Sequence, residues 1–143
     1  MTHLIFFEKP DCGGNARQRA ALRRAGHTLE RRNLLTATWS RRRLLAFLGR
    51  LPVCLWFNRA APRVKSGEIR PEMLDMDAAL TLLLQEPQLL RRPLMQRTDN
   101  GQCHVGFETA AVHAWVGLAN PPPAAGADLE ACVSVGQTQA TPS

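Results

Sequence analysis

The run Leu4-Ile5-Phe6-Phe7, β-branched and aromatic, stops at Lys9-Pro10-Asp11 and passes into Cys12-Gly13-Gly14. A short apolar run closed by turn residues reads as a buried strand. From Asn15 to Ala25 the residues Ala21, Leu22 and Ala25 can share one helix face, with Arg17, Gln18 and Arg24 outward and Gly26 as the stop. After Gly26, "HTLERRNLL" alternates loosely and reads as a second strand. Strand, helix and strand in this order form a βαβ unit, which demands a parallel pair and a right-handed crossover. The chain is therefore of the α/β class.

Cys12 falls where the first strand hands over to a helix N-terminus. Backbone N–H groups there lack partners and the helix dipole is positive, so a thiolate gains relative to the thiol and its pKa should fall. Gly13 and Gly14 let the chain wrap closely around an anion. A flexible turn holding an ordinary small side chain is the other reading, because no C-x-x-C partner accompanies the cysteine.

Further along, Ser40 is a good N-cap for "RRRLLAFLG", in which Leu44, Leu45 and Leu48 form a stripe and Gly49 ends the helix. The middle of the chain is the least periodic. Cys54, Trp56 and Phe57 read as a short buried helical turn, and Pro62 with Lys65-Ser66-Gly67 as a solvent-exposed loop. A helix follows from about Asp77 to Gln85, with Met76, Leu80, Leu83 and Leu84 on one face and Pro87 as the stop. "PLMQ" from Pro93 and "CHVGF" from Cys103 are strands, joined through the hairpin signal Asn100-Gly101. A last helix runs from about Thr109 to Val116, with Ala111, Val112 and Trp115 on one face. The order predicts a four-stranded mixed sheet with helices on both faces and a helical insertion in the middle.

The 143 residues suit one domain, residues 1–118, followed by a tail, 119–143, too poor in large apolar side chains to be ordered. No run is long enough for a membrane span and the N-terminus lacks signal-peptide order, so a cytoplasmic location is expected. The four cysteines, Cys12, Cys54, Cys103 and Cys132, are far apart, and with no shared histidine spacing they exclude a metal centre. Cys54 and Cys103 read as core residues. The formal charge is +6 and sixteen of the eighteen basic residues are arginine. They are scattered and lack interleaved aromatics, which argues for a basic surface with no nucleic-acid role.

The element order, with a cysteine after the first strand, resembles the thioredoxin fold as elaborated in the arsenate reductase and Spx (ArsC-like) family. "EKPDCGGNARQRAALRRAGH" at 8–27 and "EPQLLRRPLM" at 86–95 carry the resemblance, which spans about residues 3–118. Within the family, "FEKPDC", "RNLL", "WFNRAAPRVKSGE" and "LLRRPLMQ" are most similar to the branch called nitrogenase-associated proteins. The resemblance implies that Cys12 is the nucleophile, that Arg92 belongs to the family's Arg-Pro pair, and that Pro93 is the cis-proline bordering the thiol. Gly13, Gly14, Asn15 and Arg59 are its implied oxyanion-binding group. Asn15 reads equally as a helix cap, and a one-residue shift would exchange Arg59 for Asn58. Two departures stand out. Val105-Gly106-Phe107 occupies the turn where arsenate reductases place a third arginine, which argues against arsenate reduction. Asn15 stands where a dithiol oxidoreductase has a second cysteine, so no disulfide can close within the turn.

Two functions follow from the resemblance. One is a monothiol redox enzyme in which Cys12 attacks an oxidised sulfur or an oxyanion, with no bound cofactor and glutathione as co-substrate. The other is an Spx-type adaptor binding a protein partner through the "NRAAPRVKSGE" loop. The branch further implies an accessory role in nitrogen fixation, with a small oxyanion such as molybdate as a ligand.

Overall fold

A computed structural model describes residues 1–10 and 12–119. The expected tail, except for Ala119, and with it Cys132, lies outside the described residues. The chain runs β1 (His3–Glu8), α1 (Gly13–Arg24), β2 (Thr28–Asn33), α2 (Arg41–Leu48), α3 (Pro62–Lys65), α4 (Met76–Gln85), β3 (Leu94–Arg97), β4 (Cys103–Val105) and α5 (Thr109–Val116). Single 3-10 turns at Val53–Leu55, Pro71–Met73 and Pro87–Leu89 fill the connections. The strands form one sheet in the order β2-β1-β3-β4; β1 and β2 are parallel, and β1–β3 and β3–β4 are antiparallel. This is the mixed thioredoxin-like sheet that the element order demands.

β1 is central, and its alternation divides the core. Leu4 and Phe6 point toward α1 and α5, where they pack with Leu22, Met95, Phe107 and Val112. Phe7 points the other way, into a larger cluster with Leu44, Phe47 and Leu48 of α2, Leu80 and Leu83 of α4, and Trp56. Helices thus cover both faces. Caps set the helix starts: the Ser40 side chain accepts from the Arg43 N–H, that of Asp75 from Ala78, and that of Glu108 from Ala111.

Tertiary packing departs from the sequence pattern in the insertion. Pro62–Lys65 is a turn of α-helix rather than a loop, because Ala61, Val64 and Ile69 are drawn into the larger cluster while Pro62 takes the first helical position. In α4, Met76 is exposed and Ala79 is buried in its place. The helix begins at Met76, and its buried face is formed by Ala79, Leu80 and Leu83. No helix among the described residues is long and apolar enough to cross a membrane.

Candidate functional site

Cys12 is the residue on which β1 turns into α1. It adopts extended backbone (φ −87°, ψ 116°) as the N-cap, and its carbonyl accepts from the Ala16 N–H at 3.1 Å. Gly13 and Gly14 are the first two helical residues, so the chain enters the helix with no side chain flanking the sulfur on its C-terminal side. Cys12 is only 6% exposed. It nevertheless lines a cavity of about 270 Å³ together with Gly13 and Ala16, and Glu8, Lys9, Arg19 and Arg31 complete the wall.

The charged wall is built around Glu8. Strand alternation turns this last residue of β1 to the α1 side, below Leu4 and Phe6, and leaves it 5% exposed. Arg19 Nη1 donates to one carboxylate oxygen at 2.6 Å and Arg31 Nε to the other at 2.8 Å. A buried carboxylate requires such partners. Arg19 Nε is itself buried without a hydrogen-bond partner among the described residues. Glu8, Arg19 and Arg31 were not singled out by sequence reasoning. The signal was present in the period of two, which puts Glu8 on the face that α1 covers.

Asn15 is 1% exposed and works inside the fold: its Oδ1 accepts from the Lys9 N–H at 3.1 Å and its Nδ2 donates to Gln18 Oε1 at 2.7 Å. It pins the turn that carries Cys12 and does not line the cavity. Arg59 lies elsewhere, exposed, with Nη2 donating to Glu72 at 2.6 Å and to the Cys54 carbonyl at 3.2 Å. Arg59 holds the Glu72 carboxyl below its ordinary range. The neighbouring Asn58 is bound through its N–H to the Leu89 carbonyl and caps Ala60 with its side chain.

The insertion positions the Arg-Pro segment. Phe57 bridges to Leu90 and the Arg91 N–H donates to the Trp56 carbonyl at 2.9 Å, with Trp56 itself fully buried. The Arg92–Pro93 peptide is cis. Continuing the β1–β3 register one residue past Phe7 opposite Leu94 sets Pro93 beside Glu8. Arg92 is 6% exposed and its Nε has no hydrogen-bond partner among the described residues. It belongs to the segment flanking the turn but not to the cavity wall. Gly106, in the turn after β4, has φ +81° and donates its N–H to the Pro93 carbonyl. A Cβ there would meet the Arg91 guanidinium at 2.5 Å, so Arg91 fills the space in the turn that carries no arginine of its own.

Residues 56–115 match the ArsC family, a stretch that contains the Arg92–Pro93 turn and both strands of the hairpin. A Rhodospirillum rubrum protein described as an uncharacterized 15.7 kDa protein in the draG 3′ region is 44% identical over 134 residues, covering 94% of this chain and 90% of that protein. The chain belongs to the ArsC family. Among solved structures, an ArsC-family-related protein of Bacteroides fragilis superposes with a TM-score of 0.67 at 19% identity, covering 78% of this chain and 95% of that one. An arsenate reductase of Vibrio cholerae gives 0.61 at 21%, covering 75% and 92%. At these identities the likeness is one of fold.

In this ArsC-family chain the sheet register separates Cys103 from Cys12. Cys103 pairs with Gln96, which is level with Ile5, so it sits two strands, about 10 Å, across from β1. That is beyond the limit of about 7 Å between bridged Cα atoms. Burial pushes the Cys103 thiol up, with Arg50 opposing. Cys54 is half-buried within the 3-10 turn Val53–Leu55 that leads to Trp56 and does not line the Cys12 cavity. No metal-binding cluster of His, Cys, Asp and Glu occurs among the described residues.

Proposed function

We propose that this ArsC-family chain is a monothiol redox protein of the cytoplasm, acting through Cys12 as an accessory to nitrogen fixation. The observation that carries the reading is the cavity at the α1 N-terminus, whose wall sets the Cys12 thiol with Lys9, Arg19 and Arg31 around the single carboxylate of Glu8. The Cys12 thiolate attacks one sulfur of an oxidised partner. The partner's S–S bond breaks as the bond to Cys12 forms, and the leaving thiolate departs with the electron pair. A thiol such as glutathione then attacks the mixed disulfide and returns Cys12 as thiolate. The helix N-terminus and the cavity cations, which outnumber the one carboxylate of Glu8, hold the negative charge, and Arg92, buried just before the cis Pro93, is the further cation that the family resemblance implies.

The nitrogen-fixation setting is supported by the resemblance of "WFNRAAPRVKSGE" and "LLRRPLMQ" to the nitrogenase-associated branch and by the R. rubrum relative from the draG region. The same cavity could receive an oxyanion such as molybdate. Arsenate is disfavoured, since the turn at Gly106 brings no arginine of its own.

A second reading, a protein-binding adaptor, is favoured by Met73 and Met76, which are exposed in the same insertion as the 58–68 segment. The rate of iodoacetamide alkylation of Cys12 against pH separates the two, with Cys12→Ser as the blank. A midpoint of about pH 6 is expected of a working thiolate. A midpoint at about 8.5, the ordinary thiol value, overturns the redox reading in favour of the adaptor.

A further inference from the structure

Some arginines of this chain meet a carboxylate and others do not. In and around the insertion each of several arginines faces a carboxylate: Arg41 pairs with Asp77, Arg59 with Glu72, and Arg63 with Glu68 and Glu86. α1 carries four arginines and no acidic residue. Arg17, Arg23 and Arg24 are exposed, and no ion pair of the described residues reaches Arg23 or Arg24. Arg42, Arg50, Lys65 and Arg70 are exposed elsewhere as well, so what sets α1 apart is that its exposed arginines stand on a helix with no carboxylate of its own that starts at the thiol.

That helix face leads to the thiol. Cys12, Ala16 and Ala20 are spaced four residues apart and lie in one row along α1, with Arg23 and Arg24 continuing it. Ala16 and Ala20 are exposed, and Ala16 also lines the Cys12 cavity. Small side chains between arginines leave a shallow track in which another backbone can lie close while its carboxylates meet guanidinium groups. Arg23 and Arg24 suit the negative end of the helix dipole, but Arg17 is mid-helix, where the dipole gives a cation no advantage. No aromatic side chain interrupts α1, so the face lacks the stacking platform that single-stranded nucleic acid uses.

We infer that the outer face of α1 docks an acidic polypeptide segment, leading its chain to the mouth of the Cys12 cavity. The purpose of docking rests on Cys12 being the working thiol; the docking itself does not. Complementary charge across such a face speeds encounter and selects partners, and it weakens with salt.

The test is fluorescence anisotropy of a labelled glutamate-rich peptide against the full chain carrying Cys12→Ser, so that no disulfide can form. Binding is expected to weaken at least about tenfold between low and physiological salt. The triple variant Arg17→Glu, Arg23→Glu, Arg24→Glu should lose about tenfold or more, and the milder Arg23→Ala, Arg24→Ala pair roughly threefold. A charge-matched control, Arg42→Glu, Arg50→Glu, Lys65→Glu, alters exposed residues outside α1 and should stay within about twofold. Equal weakening by control and triple variant would reduce the effect to net charge and overturn the inference. Tighter binding of a single-stranded oligonucleotide of equal charge would overturn it as well. A reactive Cys12 with no peptide binding leaves the redox reading standing without the docking face. Peptide binding beside an inert Cys12 does the reverse.

Discussion

Under α2 and α4 the sheet buries Trp56, Phe47, Phe57 and a run of leucines, whereas under α1 and α5 it rests on a smaller set around Leu4, Phe6 and Phe107. The polar residues divide the opposite way. Glu8, Asn15, Gln18 and His27 are all buried on or beside the β1–α1 unit. His27 shows how each is satisfied: its Nδ1 accepts from the Thr2 N–H at 3.0 Å, which makes Nε2 the donor to the Gly117 carbonyl at 2.7 Å. A large apolar layer on one face supplies stability, and the thinner layer can then hold a charged cavity and a buried thiol. The insertion carries the larger core and pairs Arg59 and Arg63 with its own carboxylates, whereas α1 commits Arg19 to the buried Glu8 and leaves Arg23 and Arg24 at the surface.

Substitutions can break or sharpen this contrast. The largest effect is expected of Trp56→Ala, which empties the heavy layer and removes the Nε1 donor to Leu51, at about 3–5 kcal/mol in urea denaturation. Val112→Ala in the lighter layer should cost about 2 kcal/mol or less, and equal costs would contradict the division. Glu8→Gln comes next. It leaves Arg19, whose side chain is 14% exposed, facing a neutral group. A loss of about 2 kcal/mol is expected, less than for a fully buried pair because Arg31 is half solvated. An unchanged urea midpoint would show that the carboxylate is not what organises the cavity wall.

The smallest effect belongs to the exposed pairs of the insertion. Arg59 depresses the Glu72 carboxyl below its ordinary 4.5, so the pair's contribution is fully present above that value and is lost as pH falls through the depressed one. Glu72→Gln should lower the thermal midpoint slightly at pH 7, and the difference from the parent should vanish in strong acid. A difference that persists there would mean that Glu72 acts by packing rather than by charge.

Much of the fold was legible because it is written locally. The apolar run at 4–7, the cap at Ser40, Asn100-Gly101 and the 109–116 helix each lie in a few adjacent residues, and the structure places them as read. The insertion was less legible. Ala61, Val64 and Ile69 have no common period, and only contact with Trp56 and α4 makes them core. The candidate site was legible at its centre, since Cys12 and its glycines are contiguous. The cavity wall was not, because Glu8, Arg19 and Arg31 come from three elements.

By itself the sequence determined the element order, the parallel β1–β2 pair and a cysteine at a helix start. These follow from periodicity, turn chemistry and the geometry of a crossover, all of which act over short stretches. Only the tertiary structure decided that Glu8 is clamped between Arg19 and Arg31 beside the thiol, that Asn15 serves the turn, and that Arg59 pairs with Glu72 away from the cavity. Such partnerships depend on where the sheet and helices set distant side chains, and a buried charge takes whichever counter-charge the packing brings within hydrogen-bond reach.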